Sequence, residues 1–201
     1  MSATSVRRAA LDDVPQMSAV FEALDAHHIE LRPDLFKRLD RPARDDETLR
    51  TLISNVETQA VLVADDKPSA SLIGFVHVLE KHWPESVVTP ATRSADIDAI
   101  FVHSAFRRRG IGNLLISAAE LWAQERNLTQ LTLSVRAFNH EAITAYQRAG
   151  FDYVAHRLAR TCGGLAAPRC PLPAIGRLDH IMGCEVGGFL KQTAPAYVQH
   201  K

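Results

Sequence analysis

Ile100-Phe101-Val102-His103-Ser104-Ala105-Phe106-Arg107-Arg108-Arg109-Gly110-Ile111-Gly112-Asn113 is the stretch on which the reading of this chain turns. Its first three residues form an apolar, strand-like run. The residues after Gly112 place Leu114, Leu115, Ala118, Leu121 and Trp122 on one helical face, with Asn113, Ser117, Glu120 and Gln124 off it. The glycines thus fall at a strand-to-helix turn. There the first helical amides lack internal partners and point outward beside the positive end of the helix dipole, which suits an anion. A side chain in place of glycine would hold a phosphate away from those amides. The three arginines add fixed charge and forked donors that fit phosphate oxygens.

The 201 residues, 46% of them hydrophobic, suffice for one substantial core. Lys plus Arg and Asp plus Glu balance at 23 each, so the arginine cluster is a local feature. This excludes a nucleic-acid footprint and favours a small anionic ligand. No run is long enough to cross a bilayer, and Arg7-Arg8 followed by Leu11-Asp12-Asp13 lacks the apolar stretch of a signal peptide. A cytoplasmic protein that meets no membrane is expected. Cys162, Cys170 and Cys184 match no common zinc spacing, and no metal site is expected.

Outward from the glycine turn, Val6 to Ala9 reads as a strand, and Asp12 or Asp13 can cap a helix carrying Met17, Val20, Phe21 and Leu24 on one side. Asp25 to Arg44 has no clear period and is expected to be an irregular excursion overhanging a site. Asp45 caps a second helix with Leu49, Leu52, Ile53 and Val56. Strands Ala60 to Ala64 and Ser71 to Leu79 follow, joined by the turn Asp65-Asp66-Lys67-Pro68. A linker around Trp83-Pro84 leads to a strand near Asp96 to Val102. The second half reads as helix 110–126, strand 129–136, helix 140–149, with Asn139 as N-cap and Gly150 as left-handed C-cap, and strand 151–159. The pattern predicts an α/β (α+β) fold with a mixed sheet and helices on both faces, in a domain over residues 1–160. Residues 161–201 hold six of the ten glycines and four of the ten prolines, and are expected to be a loosely ordered tail.

Arg107-x-x-Gly110-x-Gly112 resembles the acyl-CoA pyrophosphate loop of the GNAT superfamily of N-acetyltransferases. Asn139-His140-Glu141-Ala142-Ile143, with Tyr146 and Gly150-Phe151, resembles its second signature. The resemblance covers roughly residues 4–160. It implies a sheet splayed between its fourth and fifth strands, with the pantetheine arm of acetyl-CoA in the gap. Backbone groups at Ile100, Phe101 and Val102 would pair with that arm. Amides from Arg108, Arg109, Gly110, Ile111, Gly112 and Asn113 would take the pyrophosphate beside Arg107, with Asn139 near the thioester and Tyr146 close to the sulfur. The acceptor would be a small-molecule or peptide amine, and a homodimer is compatible with the resemblance. The spacing fits neither a Rossmann fingerprint nor a Walker loop.

Acetyl transfer needs a neutral amine, a polarised thioester and a proton for the departing thiolate. A phenol such as Tyr146, with pKa about 10, can hydrogen-bond a thiolate of pKa about 8.5, though full transfer is uphill by about 2 kcal/mol. Deprotonating an ammonium of pKa about 10.4 at neutral pH costs about 4.6 kcal/mol, against about 1 for an α-amine. Asp96 and Asp98 share one face of their strand and are the candidate bases. A β-bulge there would change which of them faces the cleft. His27, His28, Glu30 and His77 are further candidates. The segment Val135-Arg136-Ala137-Phe138-Asn139 resembles the ribosomal-protein alanine acetyltransferases, but Ser134 stands where those carry a catalytic glutamate, so their base and substrate do not carry over. With no cysteine in the matched region, direct transfer in a ternary complex is expected. The rival reading is a catalytically silent acyl-CoA-binding regulatory module, which would need neither Tyr146 nor a strand carboxylate.

Overall fold

In the computed structural model, residues 4–67, 69 and 71–159 are described. The residues through Ala155 form one unit. Residues 156–159 lie beyond it in no helix or strand. The expectation for residues 161–201, with the three cysteines, lies outside the described residues, as does Pro68 of the expected turn.

A five-stranded sheet of order β1-β2-β3-β4-β5 is built from Thr4–Arg8, Gln59–Asp66, Ser71–Trp83, Thr92–Val102 and Leu131–Leu133. The first three pairings are antiparallel and the last is parallel, giving the mixed sheet that the sequence predicts. β2 is buried on both sides. Ala60, Leu62 and Ala64 join one apolar cluster, and Val61 and Val63 join another. The second cluster is closed by α1 (Val14–Leu31) and α2 (Asp46–Ser54), the first by α3 (Ile111–Gln124). α4 (His140–Arg148) buries no residue fully, although Tyr146, Ala149 and Phe151 pack on the first cluster.

Local chemistry explains the element ends. Asp45 caps α2, its side chain accepting from the Thr48 amide at 2.9 Å. Asn139 caps α4 through the Ala142 amide at 3.2 Å. Gly150, at φ +93°, reverses the chain so that the Phe151 amide meets the Tyr146 carbonyl. Asp13 serves differently from the expected cap. Its carboxylate accepts from the Ala10 amide and takes a bidentate pair from Arg7, at 2.7 and 2.9 Å.

Several boundaries differ from expectation. α1 runs on to Leu31, so Asp25 to Leu31 is helical and the irregular excursion begins only at Arg32. α2 stops at Ser54 and leaves Val56 exposed. β3 reaches Trp83 and β4 starts at Thr92, because the two strands continue their ladder through pairs Glu80–Ala95 to Trp83–Thr92. The buried stripe of α3 is Ile111, Leu115, Ile116, Ala119, Trp122 and Ala123, with Leu114 and Leu121 exposed. Its axis is therefore rotated from the face read in the sequence. β5 keeps only Leu131–Leu133 of the expected 129–136, and residues 151–159 form no strand. Alternating apolar residues need a paired neighbour to become a strand, and β5 offers a very short one.

Candidate active site

The parallel pairing of β4 with β5 ends after Ala95–Leu131, Asp96–Thr132 and Ile97–Leu133, while β4 continues to Val102. From Asp98 onward β4 and the chain after β5 line opposite walls of a cleft of about 980 Å³. The sheet is thus splayed between its fourth and fifth strands. At one end lies the turn into α3. Leu114 makes the first intrahelical bond, to the Gly110 carbonyl, so the amides of Ile111, Gly112 and Asn113 have no partner within the helix. Gly110 sits at φ +80° and Arg108 at φ +65°, a left-handed pair of positions that folds the turn over the helix start. A Cβ added at Gly110 or Gly112 would meet no atom within 4 Å, so open space lies over these amides. Both glycines line the cleft. Unpartnered amides, a helix N-terminus and space free of side chains fit a pyrophosphate.

The arginines divide by position. Arg107 lines the cleft, donating from Nε to the Val102 carbonyl at 3.0 Å. Arg108 lines it as well. Arg109 does not, and its guanidinium instead lies over Phe106, 5.2 Å from the ring centroid. Ile100, Phe101, Val102, Asn113 and Asn139 all line the cleft. The Val102 carbonyl is already engaged by Arg107, and the Asn139 amide oxygen by the α4 cap.

The two strand carboxylates part company. His77 pairs with Ala99 and Val78 with Ile97, which leaves Asp98 as the extra residue of a β-bulge. Asp96 therefore points away from the cleft. It takes a hydrogen bond from Lys81 Nζ at 2.6 Å and another from Thr132 Oγ1 at 2.7 Å, and is buried. Asp98 is exposed and lines the cleft.

Behind Asp98 stands buried His77, with Nδ1 3.2 Å from Asp98 Oδ2 and Nε2 3.3 Å from Gln59 Oε1. Gln59 Nε2 donates to the Leu52 carbonyl at 2.8 Å, which fixes its oxygen toward the imidazole. The ring thus has an acceptor oxygen beside each of its nitrogens. The His77 hydrogen bond, opposed by desolvation, holds the Asp98 carboxyl below its ordinary range. Asp98 is accordingly a carboxylate at neutral pH. Gln59 has no signature in the sequence, because its role exists only through the strand register that sets it beside His77.

Tyr146 lines the cleft from α4, and its ring meets Phe151 edge-on at 6.1 Å. Burial pushes its phenol above the ordinary value, so it keeps its proton at neutral pH. The opposite wall comes from α1 and the loop after it. His28 stacks on Phe36 at 5.1 Å, and Phe36 meets Phe138 edge-on at 6.3 Å. Arg32 covers Phe138 at 5.3 Å. This cluster brings the loop after α1 against the loop after β5, as the expected overhang requires. Burial, more than neighbouring cations, lowers His27 and His28, so both are neutral at pH 7. Glu30 does not line the cleft.

The Acetyltransferase (GNAT) family model matches residues 20–151. The aminoglycoside N(6')-acetyltransferase type 1 of Klebsiella aerogenes is 24% identical over 145 residues, covering 72% of this chain and 94% of that protein. Among solved structures, the F44R mutant of the BH1408 protein from Bacillus halodurans superposes with a TM-score of 0.73 at 18% identity, covering 79% of this chain and 99% of that one. The aminoglycoside N-acetyltransferase AAC(6')-Iy, solved in complex with CoA, gives a TM-score of 0.60 at 16% identity over 80% of this chain and 95% of its own. Among the described residues no helix is long and apolar enough to cross a membrane. With two thirds of its length matched by the family model and its sheet opened beside a phosphate-sized turn, the chain belongs to the GNAT family and is an N-acetyltransferase with acetyl-CoA as its co-substrate.

Proposed function

We propose that the cleft moves an acetyl group from acetyl-CoA directly to a primary amine, with both substrates bound together. The observation that carries this reading is that the α3 amides, the Asp98 carboxylate and the Tyr146 phenol all line one cleft. The amides from Arg108 to Asn113, with Arg107 and Arg108, take the pyrophosphate. The β4 edge at Ile100, Phe101 and Val102, with the Val102 carbonyl held by Arg107, runs beside the pantetheine arm, and Asn139 lies near the thioester. In the transfer, the neutral amine nitrogen attacks the thioester carbonyl carbon, a C–N bond forms, the C–S bond breaks, and the proton the nitrogen sheds ends on the sulfur, so that the products are the amide and the CoA thiol. Tyr146 stabilises the departing thiolate through its O–H. Asp98, held as a carboxylate, accepts a hydrogen bond from the acceptor nitrogen and aligns its lone pair. Asp96 serves the sheet rather than the reaction, tied as it is to Lys81 and Thr132.

A silent acyl-CoA binder would require only the α3 turn. CoA-thiol release from acetyl-CoA over a broad amine panel separates the readings. The wild type should release thiol in an amine-dependent way, and Tyr146→Phe should lower kcat by about tenfold or more while leaving acetyl-CoA binding intact. Tight acetyl-CoA binding with no amine-dependent release would overturn the transfer reading.

A further inference from the structure

The acceptor end of the cleft has a charge pattern of its own. From the loop after α1, Lys37, Arg38 and Arg41 line it and are exposed, and Arg136 lines it from the segment after β5. Among the described residues, none of these four cations takes part in an ion pair. Arg44 shows the contrast. It is matched by Asp25 at 3.2 Å and lies over the Phe21 ring at 4.4 Å.

The lining carboxylates at this end do not balance the four. Asp25 is taken by Arg44, Asp98 is held by His77 and Glu141 lies 4.0 Å from Arg107, leaving Glu22 and Asp40. His27 and His28 contribute no charge at neutral pH. One carboxylate therefore stands in the gap of the sheet, and an excess of cations stands at the rim. The aromatic wall of His28, Phe36 and Phe138 lines the same cleft.

We infer that the acceptor is a primary amine that also carries an anionic group, a carboxylate or a phosphate, its nitrogen toward Asp98 and its anion toward Arg38, Arg41 and Arg136. The inference rests on the acetyl-transfer reading and adds to it the chemistry of the acceptor's far end. A polycationic acceptor would set its ammonium groups against the same arginines, and like charges brought together select against a partner. Although the relatives include enzymes named for aminoglycosides, the rim of this chain points to the opposite charge.

Matched acceptors test it. At saturating acetyl-CoA, kcat/KM is measured for phenylalanine against phenylalaninamide, for O-phosphoethanolamine against ethanolamine, and for the aminoglycoside neamine. The anionic member of at least one pair should be preferred by about tenfold or more, and the winning pair tells carboxylate from phosphate. The double variant Arg38→Glu, Arg41→Glu should bring that ratio close to one, and Arg136→Glu, from the other wall, should lower it too. Melting curves confirm that the variants fold. Equal rates within both pairs, or a preference for neamine, would overturn the inference while leaving acetyl transfer standing. If acetyl-CoA binds by equilibrium dialysis yet none of the five amines releases thiol, the transfer reading falls and this inference with it.

Discussion

On the function proposed above, the donor end of the cleft is made of backbone and the acceptor end of side chains. At the donor end, unpartnered amides of Ile111, Gly112 and Asn113 and the edge of β4 present groups that any residue carries, provided nothing covers them. At the acceptor end, Phe36, Phe138, the two histidines and the rim cations come from loops and a helix end, and their identities define the surface. The lesson is one of transferability. A backbone cradle survives wide divergence elsewhere because it asks only for two small residues, whereas a side-chain wall changes with every substitution. By this argument, 24% identity to an aminoglycoside enzyme does not by itself carry that enzyme's acceptor over to this chain.

The contrast can be broken most sharply at Gly112. A Cβ there meets nothing of the protein within 4 Å, so Gly112→Val should leave the melting temperature nearly unchanged. Acetyl-CoA affinity should nevertheless fall about 100-fold, or about 2.8 kcal/mol, as calorimetric titration would show. An unchanged affinity would mean that the space over the amides is not the pyrophosphate site.

Between the two ends sits His77. His77→Asn should reduce kcat about 30-fold by freeing Asp98 from the contact that aligns it. The pH profile tells alignment from mere folding. Because His77, ahead of Lys81 and Arg44, depresses the Asp98 carboxyl, its removal lets that group protonate at higher pH, and the acid limb of kcat/KM should move upward. A profile that falls in height without moving would reduce His77 to a packing role.

Smaller effects belong to the acceptor wall. Phe36→Ala should raise KM for the amine about tenfold through lost ring contacts. The Kd for acetyl-CoA should stay within about twofold, since Phe36 contacts His28 and Phe138 rather than the α3 turn. Smallest of all, Asp45→Ala removes the cap at the loop's downstream end and should cost about 1 kcal/mol in chemical denaturation, with donor affinity unchanged.

The same contrast governs what could be read from the sequence. The glycine turn, the Asp45 and Asn139 caps and the Gly150 reversal announce themselves because each depends on a few adjacent residues. The mixed sheet and its splay follow from element order and the two motifs. The bulge at Asp98 enters the sequence reading as the condition deciding which carboxylate faces the cleft, but its position cannot be read there. It contains no glycine and arises from the pairing of β4 with β3, so Asp96 and Asp98 read as neighbours on one face although the fold separates them. His77 reads in the sequence only as one further candidate base, and its place is hidden for a related reason, since its partners Gln59 and Asp98 are 18 and 21 residues away. The helical extension from Asp25 to Leu31 was hidden by a segment without clear apolar period, whose residues face the cleft and the ring cluster rather than a uniform core. Residues 151–159 mislead in the other direction, reading as a strand without forming one.

Asp96, a plausible base on paper, has a mechanical consequence. Lys81 on β3 and Thr132 on β5 both donate to its carboxylate, at 2.6 and 2.7 Å. Three strands are riveted together one residue before the sheet parts. A crack in a plate runs until something blunts its tip, and this polar rivet is the blunting point. It fixes how deep the opening between β4 and β5 reaches.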